Sequence, residues 1–229
     1  MINFIILFLS VTAGGLVYFL LGKANATVLK LVLSFSGAYL FGITITHLMP
    51  EIFSTGNHRI GMFVLAGFIF QILLEFFSEG IEHGHIHVHK HHSNAFPFAM
   101  MLSLSVHSYF EGIPLADSAQ QKSLMMGIIM HHVPVAFALM SMLGQSGISK
   151  KGCIAALVLF AAMAPFGAMT GVYLSNMMSS DWFQIMMAVV VGMFLHISTT
   201  ILFESDNDHR FNIYKLLIIL AGVGLSLMV

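Results

Sequence analysis

Charge is what this sequence of 229 residues has least of. Only 8% of its residues are Asp, Glu, Lys or Arg, while 58% are hydrophobic; a soluble domain carries roughly 25% charged residues. That deficit excludes a soluble enzyme and makes the chain an integral membrane protein. The single cysteine, Cys153, excludes an internal disulfide and says nothing of redox compartment. Basic runs are absent apart from Lys150-Lys151, and the formal net charge is -1, so there is no electrostatic footprint for nucleic acid.

What is present is a series of long apolar runs. About 20 apolar residues in a helix cross a bilayer. Breaks at charge, Pro, Asn and Gly divide the chain into eight such runs: 2–21, 28–48, 60–80, 97–116, 121–143, 152–175, 182–203 and 212–229. The expected fold class is an all-α integral membrane protein with eight transmembrane helices. By region, 1–80 holds spans 1–3, 81–96 a loop, 97–143 spans 4–5 and 152–229 spans 6–8. The first run has neither a basic start nor a small-residue cleavage site, so it is expected to stay as a span. Loops after spans 1, 3, 5 and 7 carry Lys23, Lys30, Lys90, Lys150, Lys151, Arg210 and Lys215, against Arg59 and Lys122 on the other side. The positive-inside rule then puts both termini outside. Short loops and the lack of targeting extensions point to a bacterial inner membrane.

An ionisable side chain within a membrane helix costs a few kcal/mol or more, so the few that occur carry the information. His107, Glu111, His131, His132 and His196 lie well inside spans, with His47, Glu51, Glu75 and Glu79 nearer the ends. In His107-Ser108-Tyr109-Phe110-Glu111-Gly112 of span 4, His107 and Glu111 share a helix face, about 6 Å apart along the axis. Span 5 contains His131-His132-Val133-Pro134, where the proline removes a backbone donor and favours a bend. Imidazole nitrogen and carboxylate oxygen suit zinc and its divalent neighbours, and three protein ligands with an open position make a labile site. We read His107, Glu111 and His131 as metal ligands, with His132 auxiliary. One such histidine alone would be read as a neutral core residue bonded to a backbone carbonyl; four ionisable groups in two adjacent spans reverse that weighing. His196 stands alone and keeps the core reading.

Between spans 3 and 4, His83, His85, His87, His89, His91 and His92 fall within ten residues. Such a tract is expected to bind metal weakly and reversibly, as an accessory cytoplasmic loop rather than a fixed cage; a merely solvated loop is the alternative. The eighteen methionines follow no repeating ligand spacing and are read as packing rather than Cu(I) ligands. Gly14, Gly15, Ser103 and Ser105 permit close or sliding helix contacts.

The span 4 motif, with the histidine tract before it, resembles the ZIP (Zrt/Irt-like) family of divalent metal transporters, and the likeness covers nearly the whole chain. Supporting pieces are His47-Leu48-Met49-Pro50-Glu51, Glu75, His131-His132-Val133-Pro134, Gly192-Met193-Phe194-Leu195 and Glu204. The resemblance implies that spans 1–3 and 6–8 are inverted repeats around the pair 4–5, a 3+2+3 arrangement with both termini extracytoplasmic. It implies import of zinc or a related divalent ion, with spans 1, 4, 5 and 6 shifting in an elevator-like motion against 2, 3, 7 and 8. Pro134 and Pro165 fit the bent helices found at midplane sites of transporters. The departures are specific. Where the family commonly has an acidic residue or histidine after the span 5 proline, this chain has Val135, then Ala136. The family's span 4 Asn is Ser108, the acidic residue often following the first span 5 ligand is His132, and the Glu before the span 6 proline in some members is Ala164. A second metal would have only Glu111, His132 and the weak ligand Ser108, so one principal site is expected.

The expected function is import of zinc or a related ion as substrate, without a prosthetic cofactor and without enzymatic activity. No P-loop is present, so gradients rather than ATP supply the energy. A non-transporting metal sensor, motivated by Val135 and Ala164, is one alternative. An intramembrane zinc metalloenzyme is another, opposed by the lack of His-Glu-x-x-His and of a second deep carboxylate to act as base. The partners are the metal ion and the lipid bilayer, with no nucleic acid and with a homodimer left open. With one carboxylate, a bound divalent ion keeps a formal charge of +1, which should ease release. Protonation of the histidines competes with metal, so uptake is expected to fall below about pH 6.5.

Overall fold

The structure, a computed structural model, describes residues 2–22, 25–54, 56, 59–78, 80–81, 97–116, 121–177, 180–203 and 213–228. Among these residues all regular structure is helical. Helix α1 (Ile2–Leu16) and the short α2 (Tyr18–Leu21) make the first apolar run; α3 (Ala26–Ile43), a π-helical turn (Thr44–Leu48) and α4 (Met49–Phe53) make the second. Then come α5 (Ile60–Ser78), α6 (Phe98–Gly112) with a 3-10 turn (Ile113–Ala116), α7 (Gln121–Leu143), α8 (Lys150–Met177), α9 (Ser180–Phe203) and α10 (Ile213–Ser226). Six runs among the described residues are long and apolar enough to cross a membrane: Ile2–Leu21, Thr27–Phe53, Ile60–Ser78, Lys122–Leu143, Lys150–Met177 and Trp182–Phe203. The other two expected spans fall on shorter helices, α6 of 15 residues and α10 of 14; at 1.5 Å per residue α10 is about 21 Å long, against a hydrocarbon core of about 30 Å.

The sequence explains the local form. Asn25 caps α3 by accepting hydrogen bonds from the Thr27 and Val28 amides. Small hydroxyls inside the apolar runs turn back onto their own helix, as Ser34 does to Lys30, Thr44 to Leu40 and Ser198 to Phe194, so they bring no unsatisfied polar group into lipid. The π turn sits just before Pro50. The Met49 amide reaches back five residues to the Thr44 carbonyl, and the following proline has no amide with which to continue the normal ladder. The outer surface is apolar: Leu20, Phe76, Phe98 and Phe203 are all more than two-thirds exposed, the distribution a bilayer requires.

The helices sort into two groups. In one, α1 packs along α7 and α8, and α6 packs along α8; in the other, α5 lies along α9, and α3 along α9 and α10. They meet chiefly where α3 faces α7 and α5 faces α6. Glycines lock each group internally. A Cβ on Gly67 of α5 would strike the Val189 carbonyl of α9, and one on Gly192 of α9 would strike the Val64 carbonyl of α5. Gly112 of α6 and Gly167 of α8 form the same reciprocal pair, against the carbonyls of Ala164 and Tyr109. At the one glycine that faces across the boundary among the described residues, the fit is looser. At Gly127 of α7 a Cβ would lie 3.3 Å from the Tyr39 ring, a side chain rather than backbone.

Candidate metal centre

The inward face of α6 carries Ser103, Leu104, His107, Ser108 and Glu111 at three- and four-residue intervals, all buried. Opposite, His131 and His132 are consecutive in α7, so their side chains leave the helix about 100° apart and take different partners. His131 joins His107 and Glu111: each offers one ligand atom, and the three atoms lie within 4.8 Å of one another. His132 Nε2 instead donates a hydrogen bond to Glu111 Oε2. The other carboxylate oxygen, Oε1, lies 3.5 Å from His107 Nε2 and accepts no hydrogen bond among the described residues. The three imidazole centroids form a near-equilateral triangle, 6.0, 6.2 and 5.9 Å on a side. None of these side chains is more than 1% exposed.

The electrostatic problem is plain. Lysine and arginine are absent from this face, so the side chains that face the buried Glu111 carboxylate are the imidazoles of His107 and His132, and neutral imidazoles leave its charge uncompensated. A divalent cation between neutral imidazoles and Glu111 would supply the missing charge. Ser108 Oγ is buried without a hydrogen-bond partner among the described residues, although a serine hydroxyl is a weak ligand. Val135 and Ala164 are both buried and contribute no donor.

Two features escaped the reading of the sequence. Gln71 of α5, fully buried, accepts a hydrogen bond through Oε1 from His107 Nδ1 at 3.2 Å. A neutral His107 then carries its lone pair on Nε2, the nitrogen facing Glu111, as an outer partner of a metal-binding histidine commonly arranges. The signal was a lone carboxamide in an otherwise apolar run. The second feature corrects an expectation: His196 does not stand alone. Its Nε2 donates to Glu75 Oε2 across α9 and α5, and the Phe68 ring meets the imidazole edge-on at 4.9 Å. His47 bonds its own neighbour, through Nδ1 and Thr46 Oγ1 at 2.7 Å. The loop histidines His83, His85, His87, His89, His91 and His92, with Glu79 and Glu204, lie outside the described residues.

A family model described as ZIP Zinc transporter matches residues 83–229, a segment that contains the whole α6–α7 centre. The chain belongs to the ZIP zinc transporter family. Comparison with curated proteins returns no match. Membership makes this ZIP protein an integral membrane protein of a family that moves divalent metal as substrate, and members of the family are transporters rather than enzymes. The buried His/Glu group is compatible with that role.

Proposed function

We propose that this ZIP protein imports zinc or a related divalent transition-metal ion into the cytoplasm of a bacterium. The ion binds at His107, Glu111 and His131, while His132 holds the second oxygen of Glu111 in place. The observation that carries this reading is the convergence of three ligand-type side chains, from two helices of one packing group, in a fully buried position. A site closed to water on all sides exchanges its ion only if the protein moves.

The packing supports an elevator-like motion. The ligands belong to α6 and α7, in the group that also contains α1 and α8, so they travel together if that group shifts. Among the described residues, polar links to the other group include Gln71 to His107, Ser103 Oγ to the Leu74 carbonyl and Tyr39 OH to the Ser123 carbonyl. At about 0.5–1.5 kcal/mol each, they are modest to exchange. The carbonyls against Gly67, Gly112, Gly167 and Gly192 resist any shift inside a group. Exchanging runs 1–3 with 6–8, and run 4 with run 5, converts the α1–α7 contact into α8–α6, and the α5–α9 contact into α10–α3. All four occur, and this supports eight spans in an inverted 3+2+3 arrangement. In that arrangement 1–80 and 152–229 are the repeats, 97–143 the metal-binding pair and 81–96 the cytoplasmic accessory loop. Both termini are outside by the distribution of Lys and Arg. With apolar Val135 and Ala164 where a second ion would need ligands, the centre holds one ion.

The test is zinc influx into sealed proteoliposomes with an entrapped fluorescent indicator. Saturable influx by the native chain, lost in Glu111→Ala and retained when the six loop histidines are replaced by serine, is the expected result. Binding of zinc with no net influx would favour a metal sensor instead.

A further inference from the structure

We propose that Glu75 and His196 form a second, weaker binding site for the same divalent ion, on the helix group opposite the buried centre. Its role as a station for the ion rests on the transport reading; its capacity to bind rests on the geometry of the pair. Imidazole nitrogen and carboxylate oxygen are again the ligand types, and here they already face each other, with Nε2 of His196 bonded to Oε2 of Glu75. An ion takes the place of the proton between these atoms: the imidazole stays neutral with its proton on Nδ1, and only a second proton, when the ring carries one, passes to water. The pair is not sealed: 11% of the His196 side chain and 26% of the Glu75 side chain are exposed, which leaves room beside it for further ligands to the ion.

The site is also built rigidly. His196 is one turn from Gly192 and Glu75 two turns from Gly67, the reciprocal glycines that hold α5 and α9 in backbone contact. Phe68 fixes the imidazole plane. Position gives the pair its use. Gln71, which bonds His107 of the buried centre, lies four residues before Glu75 on α5, about 6 Å along the axis. An ion leaving the buried centre along α5 therefore meets Glu75 and His196 one turn later, before the end of the helix that leads into the histidine tract. With two protein ligands instead of three, the pair binds less tightly and releases readily.

Equilibrium dialysis of the full-length chain in detergent against zinc tests the inference. The background carries Glu111→Gln and His131→Ala, with the six loop histidines replaced by serine. It is expected to retain zinc at the pair, and to lose it with either Glu75→Gln or His196→Gln. A background that binds no zinc, or binding that survives both substitutions, overturns the inference. His196→Cys guards against misfolding as the cause of loss. It keeps a ligand in place and should give an ultraviolet thiolate-to-cadmium absorption that the parent, whose lone Cys153 is buried, does not show. No such absorption in a variant that elutes and melts like the parent would overturn the inference as well. The outcome is independent of flux: native chain without zinc influx ends the transport reading, while influx with a negative dialysis result ends only this inference.

Discussion

His107 and Glu111 are at most 1% exposed and lie, with His131, between helices of one packing group. Glu75 and His196 pair between helices of the other group, with 26% and 11% of their side chains exposed. The two clusters use the same ligand types, and both lie in apolar helices where such residues are expensive. Burial separates them. An ion at the first cannot leave without a change in packing, whereas the second lies partly open at the surface of the helix bundle. On the proposed reading, the first is the site that alternates between the two sides of the membrane, and the second is a site visited from one side.

The comparison can be broken most severely at the centre itself. His131→Ala removes one of the three proposed ligands and leaves His132 bonded to Glu111, so zinc influx should drop to the level of protein-free vesicles; undiminished influx would mean that His131 is not a ligand. Gln71→Ala acts one step out. Loss of the outer partner of a metal-binding histidine typically costs about 10–100-fold in affinity, so KM for zinc should rise by roughly that factor, and an unchanged KM would separate Gln71 from the centre. Lowering the external pH from 7.5 to 5.5 should reduce influx, because protons compete with the ion for the proposed imidazole ligands. Influx that climbs steadily over that range would contradict neutral-histidine ligation. The smallest effect concerns packing. Gly167→Ala sets a Cβ against the Tyr109 carbonyl inside one group and should destabilise the protein by about 1–3 kcal/mol. Gly127→Ala, facing the Tyr39 ring across the boundary, should cost much less; thermal unfolding in detergent orders the two, and the reverse order would undermine the two-group description.

How much of this was legible in the sequence follows from which relations are local. His107 and Glu111 are four residues apart, so helical periodicity alone puts them on one face. The apolar runs likewise fell close to the helices, because scarce charge marks their ends. Which of His131 and His132 joins that face depends on the rotation of α7 against α6, a tertiary property. The Glu75–His196 bond joins residues 121 positions apart, and no periodicity within α5 or α9 announces it. Gln71 was passed over for the same reason. The π turn before Pro50 follows from local chemistry, although the missing amide does not by itself distinguish a π turn from a kink.

The most direct test compares the two clusters in one preparation: zinc influx into proteoliposomes by the native chain, Glu111→Gln and Glu75→Gln at equal protein density. The account predicts that Glu111→Gln falls to the leak of protein-free vesicles, while Glu75→Gln transports more slowly but measurably. Influx abolished by Glu75→Gln and preserved in Glu111→Gln would contradict it, and would move the transport site from the buried centre to the half-exposed pair.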